Sequence, residues 1–162
     1  MNETDERYMR RALELAEEAQ RAGDVPVGAV LVSDDAVVEA RNEKELRSDA
    51  TAHAEMLALQ AASRRFGAWR LERATLYVTK EPCVMCAGAM IAARIARLVY
   101  GANDPKGGAD GGAFDVLRSR ATNHRVIVEA GVLQAEASAQ LQRFFRARRE
   151  TGAPEGIERA AP

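Results

Sequence analysis

The 162 residues are 47% hydrophobic and 29% charged, with 2 Cys, 2 His and a formal net charge of −1; this composition fits one globular domain with a buried core and excludes a disordered chain. Two cysteines cannot build a disulfide scaffold, and no apolar run approaches the roughly 20 residues that span a bilayer. The segment Met1-Asn-Glu-Thr-Asp-Glu6 is acidic and polar, the reverse of a signal peptide's start, so the expected compartment is the cytoplasm, where paired cysteines more often hold metal or do redox chemistry than form a stable bridge.

Residues 4–22 predict a helix, because Tyr8, Met9, Ala12, Leu13, Leu15, Ala16 and Ala19 recur at three- and four-residue spacing and Gly23 stops the pattern. Gly28–Val32 and Val37–Ala40 flank Asp34-Asp35 and read as a hairpin. His53–Phe66 follows as a helix with Met56, Leu57, Leu59 and Ala62 on its buried side. Thr75–Thr79 is a β-rich run, and Cys83–Arg94 is a helix with Pro82 near its first turn. Leu98–Tyr100 reads as a short strand, the glycine-rich residues 107–112 as a loop, and Phe114–Ser119 as a short helix. Arg125–Glu129 alternates like a strand, and Ala135–Arg149 is a final helix with Leu141, Phe144 and Phe145 on its apolar side. Strands alternating with helices indicate a single α/β domain over residues 1–150. Residues 151–162, rich in Gly, Ala and Pro, read as a disordered tail.

Three of the four Cys and His residues fall in two short motifs, His53-Ala54-Glu55 and Pro82-Cys83-Val84-Met85-Cys86, each at the expected start of a helix. Cys83 and Cys86 are three apart and face one side of a first turn. The partly positive helix end favours thiolates, the form that binds metal. A second helix start brings His53 to the same point. Zinc with three protein ligands keeps its fourth tetrahedral position for water, which is the catalytic arrangement. Glu55, two residues after the ligand His, lies beside that position without being a ligand and is the candidate proton carrier. Competing readings exist. Cys-x-x-Cys before a helix is also a redox motif, but His53-Ala-Glu55 is foreign to it. A structural zinc site needs a fourth ligand, and His124, the only other His or Cys, reads as a hydrogen-bonding residue. Glu55 could also be an ordinary helix-start carboxylate; the motif around it argues against that.

The spacing H-x-E then P-C-x-x-C is the signature of zinc nucleobase deaminases. The chain over roughly residues 5–150 resembles the bacterial tRNA-specific adenosine deaminases of the cytidine-deaminase-like superfamily. The carrying segments are Val25–Val30, Thr51–Glu55, Thr75–Thr79, Glu81–Met90 and Asn123–Arg125, narrowed by Asp104–Gly111, Asn42 and the closing Phe144-Phe-Arg-Ala-Arg-Arg149. The resemblance implies a three-layer αβα sandwich around a five-stranded mixed sheet and one zinc ion per subunit of a homodimer. It implies hydrolytic deamination of adenosine to inosine at the wobble position of tRNA anticodons, with Glu55 moving protons. Asn42 would orient the base, and Val25 and the backbone of Ala54 would line its pocket. Asp104, Lys106, Phe145, Arg148 and Arg149 would meet the RNA. Three positions depart from the family pattern: Ala50 for Pro, Lys80 for Leu and Arg41 for Trp.

The charge distribution is compatible with an RNA partner. Residues 1–60 carry 7 Lys/Arg against 14 Asp/Glu, and residues 61–150 carry 15 against 8. Single-stranded loops are gripped by Arg and aromatic groups, the mix found from Arg143 to Arg149, although Phe144 or Phe145 is expected in the core and arginines also suit a helix C-terminus. The alternatives are a small-molecule nucleobase deaminase of guanine or cytosine type and a non-catalytic zinc-stabilised RNA-binding module.

Overall fold

The structure is a computed structural model that describes residues 2–152. Helix α1 spans Glu3–Arg21, started by Asn2, whose Oδ1 accepts the Asp5 N–H at 2.8 Å. The hairpin β1 (Gly28–Ser33) and β2 (Ala36–Arg41) follows, turning through Asp34 in the left-handed region with φ 53°. A single turn, α2 (Lys44–Arg47), leads to α3 (Ala54–Phe66), which ends at left-handed Gly67. Strand β3 (Thr75–Lys80) and helix α4 (Val84–Ala92) lead to β4 (Arg97–Ala102), then β5 (Ile127–Ala130) and α5 (Gln134–Thr151).

The sheet order is β2-β1-β3-β4-β5, with β1 antiparallel to both neighbours and β3, β4 and β5 parallel. The period-two alternation of β3 separates the layers. Leu76 and Val78 face Ala58, Leu59, Ala87 and Met90 of α3 and α4. Tyr77 faces Met9, Ala12 and Leu15 of α1. Ala137 and Leu141 of α5 cover Ala102 on that second side. The result is the expected αβα sandwich with a mixed five-stranded sheet. Helix α1 lies so close to β1 that a Cβ on Gly28 would overlap the Ala12 carbonyl and Ala16 nitrogen. Its start is fixed by charge: buried Asp5 accepts both Arg97 N–H groups at 2.8 Å and the Tyr77 hydroxyl at 2.9 Å, and Arg97 also reaches Glu129.

Two expectations change. Phe114–Ser119 is not helical: it runs as turns, with a bridge between Asp110 and Asp115. The Val116 and Leu117 N–H groups both bond the Ala109 carbonyl, which turns the segment back on the glycine loop instead of propagating a helix. The turn α2, short and without a buried residue, has no periodicity to betray it. The final helix extends to Thr151; residues 153–162 of the expected tail lie outside the described residues. Among the described residues no helix is long and apolar enough to cross a membrane.

Candidate metal centre and active site

Strand register gathers the site. Gly28 pairs with Arg41 and Ala29 with Val78, so the chain before β1, the chain after β2 and the chain after β3 emerge at one end of the sheet. The helices α3 and α4 begin there. His53 is the N-cap residue of α3 and Cys83 that of α4, both with extended backbone; Cys86 is within the first turn of α4 and buried.

His53, Cys83 and Cys86 each present one ligand atom, all within 4.8 Å of one another. His53 Nδ1 lies 3.7 Å from Cys83 Sγ and 3.5 Å from Cys86 Sγ. Tetrahedral zinc with its usual bonds to sulfur and imidazole nitrogen separates N from S by about 3.6 Å. The donor set and its spacing therefore fit zinc, with three protein ligands and one vertex left. The group has thiolate character before any metal binds. The proton shared with Cys86 and the His53 ring hold Cys83 down to about 4, while the same shared proton and burial push Cys86 up. The Cys83 thiolate in turn raises His53.

Glu55, in the first turn of α3, is 4% exposed. Burial raises its carboxyl above the ordinary range, against the pull of His53 and Lys80. A buried carboxyl beside the ligand cluster is placed to take and return a proton.

Asn42 is buried, and its Oδ1 accepts the Ala54 N–H at 2.8 Å. It thereby caps α3 from outside the helix and fixes the segment that carries His53 and Glu55. Its amide nitrogen makes no hydrogen bond to a described residue. The Ala54 N–H is engaged by Asn42. Val25, half-buried, and Phe145 pack on the same cluster of Ala102, Ala137 and Leu141, so the second half of α5 lies near the chain that precedes β1. Phe144 is the core member of its pair, with Arg148 stacked 4.8 Å over its ring; Arg149 is exposed. Asp104 is engaged internally, ion-paired to Lys80 at 2.8 Å and accepting the Lys106 and Gly107 N–H groups at 3.1 Å. Lys106 itself is exposed. His124 is apart from the metal group, its Nε2 2.7 Å from the Ile95 carbonyl oxygen. Arg41 turns toward α1, donating to the Glu18 carbonyl.

A model of the MafB19-like deaminases matches residues 3–149. The tRNA-specific adenosine deaminase of Bacillus subtilis is 46% identical over 143 residues, 88% of this chain and 89% of that protein. The chain belongs to the tRNA-specific adenosine deaminase family. A solved structure from a study of A-to-I editing by tRNA:A34 deaminases at the wobble position of transfer RNA is 41% identical to it. That structure superposes with a TM-score of 0.79 over 83% of this chain and 99% of the other. A guanine deaminase from Nitrosomonas europaea shares the fold at 27% identity and TM-score 0.71, over 86% of this chain and 83% of that one. The nearer likeness is to the tRNA deaminases.

One residue at the rim carried no role in the sequence reading. Glu81, between β3 and Pro82, is 3% exposed. Its sequence signals are a carboxylate flanked by a strand and a proline and its place at the head of the segment Glu81–Met90.

Proposed function

We propose that this chain is a zinc-dependent hydrolase that converts adenosine to inosine at the wobble position of tRNA anticodons, working as a cytoplasmic homodimer. The observation that carries the reading is the convergence of His53, Cys83 and Cys86 at two helix starts beside a buried Glu55. Family membership supplies the substrate class. The same three residues would hold one zinc ion per subunit, which when bound supplies Lewis-acid activation of water, lowering its pKa to about 7.

The chain's own residues do the rest. Glu55 takes the proton of the attacking water and delivers protons to the purine ring and the departing amine, leaving as ammonia. Its burial keeps bulk water from short-circuiting that transfer. The Asn42 amide nitrogen, without a partner among the described residues, orients the flipped-out base by hydrogen bonding to its edge. Val25 and the Ala54 backbone line the base pocket. Phe145, Arg148 and Arg149, with Lys106 and the loop begun by Asp104, meet the strand through stacking and phosphate contacts.

An anticodon stem-loop carrying a wobble A, offered beside free guanine, tests the assignment. Inosine in the hairpin with guanine untouched supports it. Guanine turnover without inosine overturns it in favour of a small-molecule enzyme.

A further inference from the structure

The loop that follows β4 contains little regular structure, yet it is held by one buried side chain. Glu81 Oε2 accepts the Asp104 N–H at 2.8 Å, and Glu81 Oε1 accepts the Asp110 and Gly112 N–H groups at 2.9 and 3.0 Å. A Cβ on Gly108 would overlap that carboxylate, so the loop closes on it only where there is no side chain. The neighbouring bonds enclose the same contact. The Ala109 N–H donates to the Pro82 carbonyl at 2.8 Å, and the Tyr100 hydroxyl donates to Asp110 at 3.0 Å. Lys80 pairs with Asp104 at 2.8 Å. Three backbone donors on one buried carboxylate are a strong, directional fastening. It joins the residue two before Cys83 to the loop that carries Asp104 and Lys106.

We propose that Glu81 is a positioning residue for the substrate: through its three backbone hydrogen bonds it holds the 104–112 loop in register with the metal centre, so that the loop meets the RNA strand preformed. The inference rests on the tRNA-deaminase reading for its substrate. Glu81 does not touch a ligand side chain or Glu55 through any of these bonds, so its effect falls on binding rather than on the chemical step. A preformed loop spares the ordering cost that a slack one levies at binding.

The test is Glu81→Gln in the full-length, zinc-loaded chain. The amide keeps the oxygen that serves Asp110 and Gly112 but turns an N–H toward that of Asp104. Loss of one hydrogen bond to a charged group should raise KM for the anticodon hairpin about tenfold. The same variant should leave kcat within about twofold and zinc content unchanged, while amide exchange across 104–112 accelerates. A fall in kcat with KM unmoved, loss of zinc, or unchanged KM and exchange would each overturn the proposal. If Glu81→Gln does not fold, Glu81→Asp, which keeps the charge but shortens its reach to the Asp104, Asp110 and Gly112 N–H groups, is read the same way. Wild-type protein that makes no inosine sinks the tRNA reading, and the substrate half of this inference with it. An active wild type with a variant unchanged in KM and exchange sinks Glu81's role alone.

Discussion

Asn42 joins two tasks in one side chain, and substitution separates them. Its oxygen caps the Ala54 N–H at 2.8 Å, in a setting where Asn42 is 7% and Ala54 0% exposed. Asn42→Ala removes the cap, which costs about 1 kcal/mol at an ordinary helix start. Here the N–H is buried, and leaving it without its acceptor brings the loss to about 2 kcal/mol. For a domain of this length that is a fall in Tm of about 4–8 °C. The same variant removes the amide donor to the base, so kcat/KM on the hairpin should fall about 10- to 100-fold. Asn42→Asp is the informative partner. It keeps an acceptor at a helix N-terminus, where negative charge is favoured, but has no donor. It should melt closer to wild type than Asn42→Ala while losing at least as much activity. Thermal melts with steady-state kinetics on both variants decide it. Asn42→Ala melting at the wild-type temperature would refute the cap, and full activity in Asn42→Asp would refute the base contact.

The Asp5 network should set acid stability. Arg97 holds the Asp5 carboxyl below its ordinary range, so its contribution is full above the unfolded carboxylate pKa of about 4 and is lost as pH falls through the lower folded value. Asp5→Asn should therefore cost about 2–3 kcal/mol at pH 7, less than a fully orphaned buried charge because Arg97 keeps Glu129. The gap should close as pH drops below 4; a gap independent of pH in parallel denaturation curves would refute this. Replacing Arg148 and Arg149 together by Ala should weaken hairpin binding and reduce the slope of log K against log salt by about 1.4, as for two lost single-strand phosphate contacts. An unchanged slope in a salt titration would remove these arginines from the RNA contact.

Much of the architecture was legible because its signals are local. The α1 stripe from Met9 to Ala19, the Asp34-Asp35 hairpin and the β-rich run Thr75–Thr79 each predict an element, the first also the face it buries, and the structure follows them within a few residues. The metal group was legible because its members sit at two helix starts with spacings that permit little else. Within residues 103–126 the glycine loop at 107–112 was legible as a loop, but the path of the segment was not, because its conformation answers to a distant side chain. Phe114–Ser119 has the composition of a short helix, yet its N–H groups are drawn to Ala109 and the preceding glycines are packed on Glu81. The glycines at 107–112 resemble a substrate loop; their spacing also serves the carboxylate beneath them. Asn42 was readable only as a contact to the base. That it also caps α3 depends on β2 ending beside that helix, which no local pattern encodes.

The most direct test of the central claim is inosine formation on a wobble-A anticodon hairpin by wild type and by Glu55→Ala, with zinc measured in both. One zinc per chain is expected in each protein, with inosine from wild type and none above background from the variant. A Glu55→Ala protein that retains zinc and still makes inosine at the wild-type rate would contradict it.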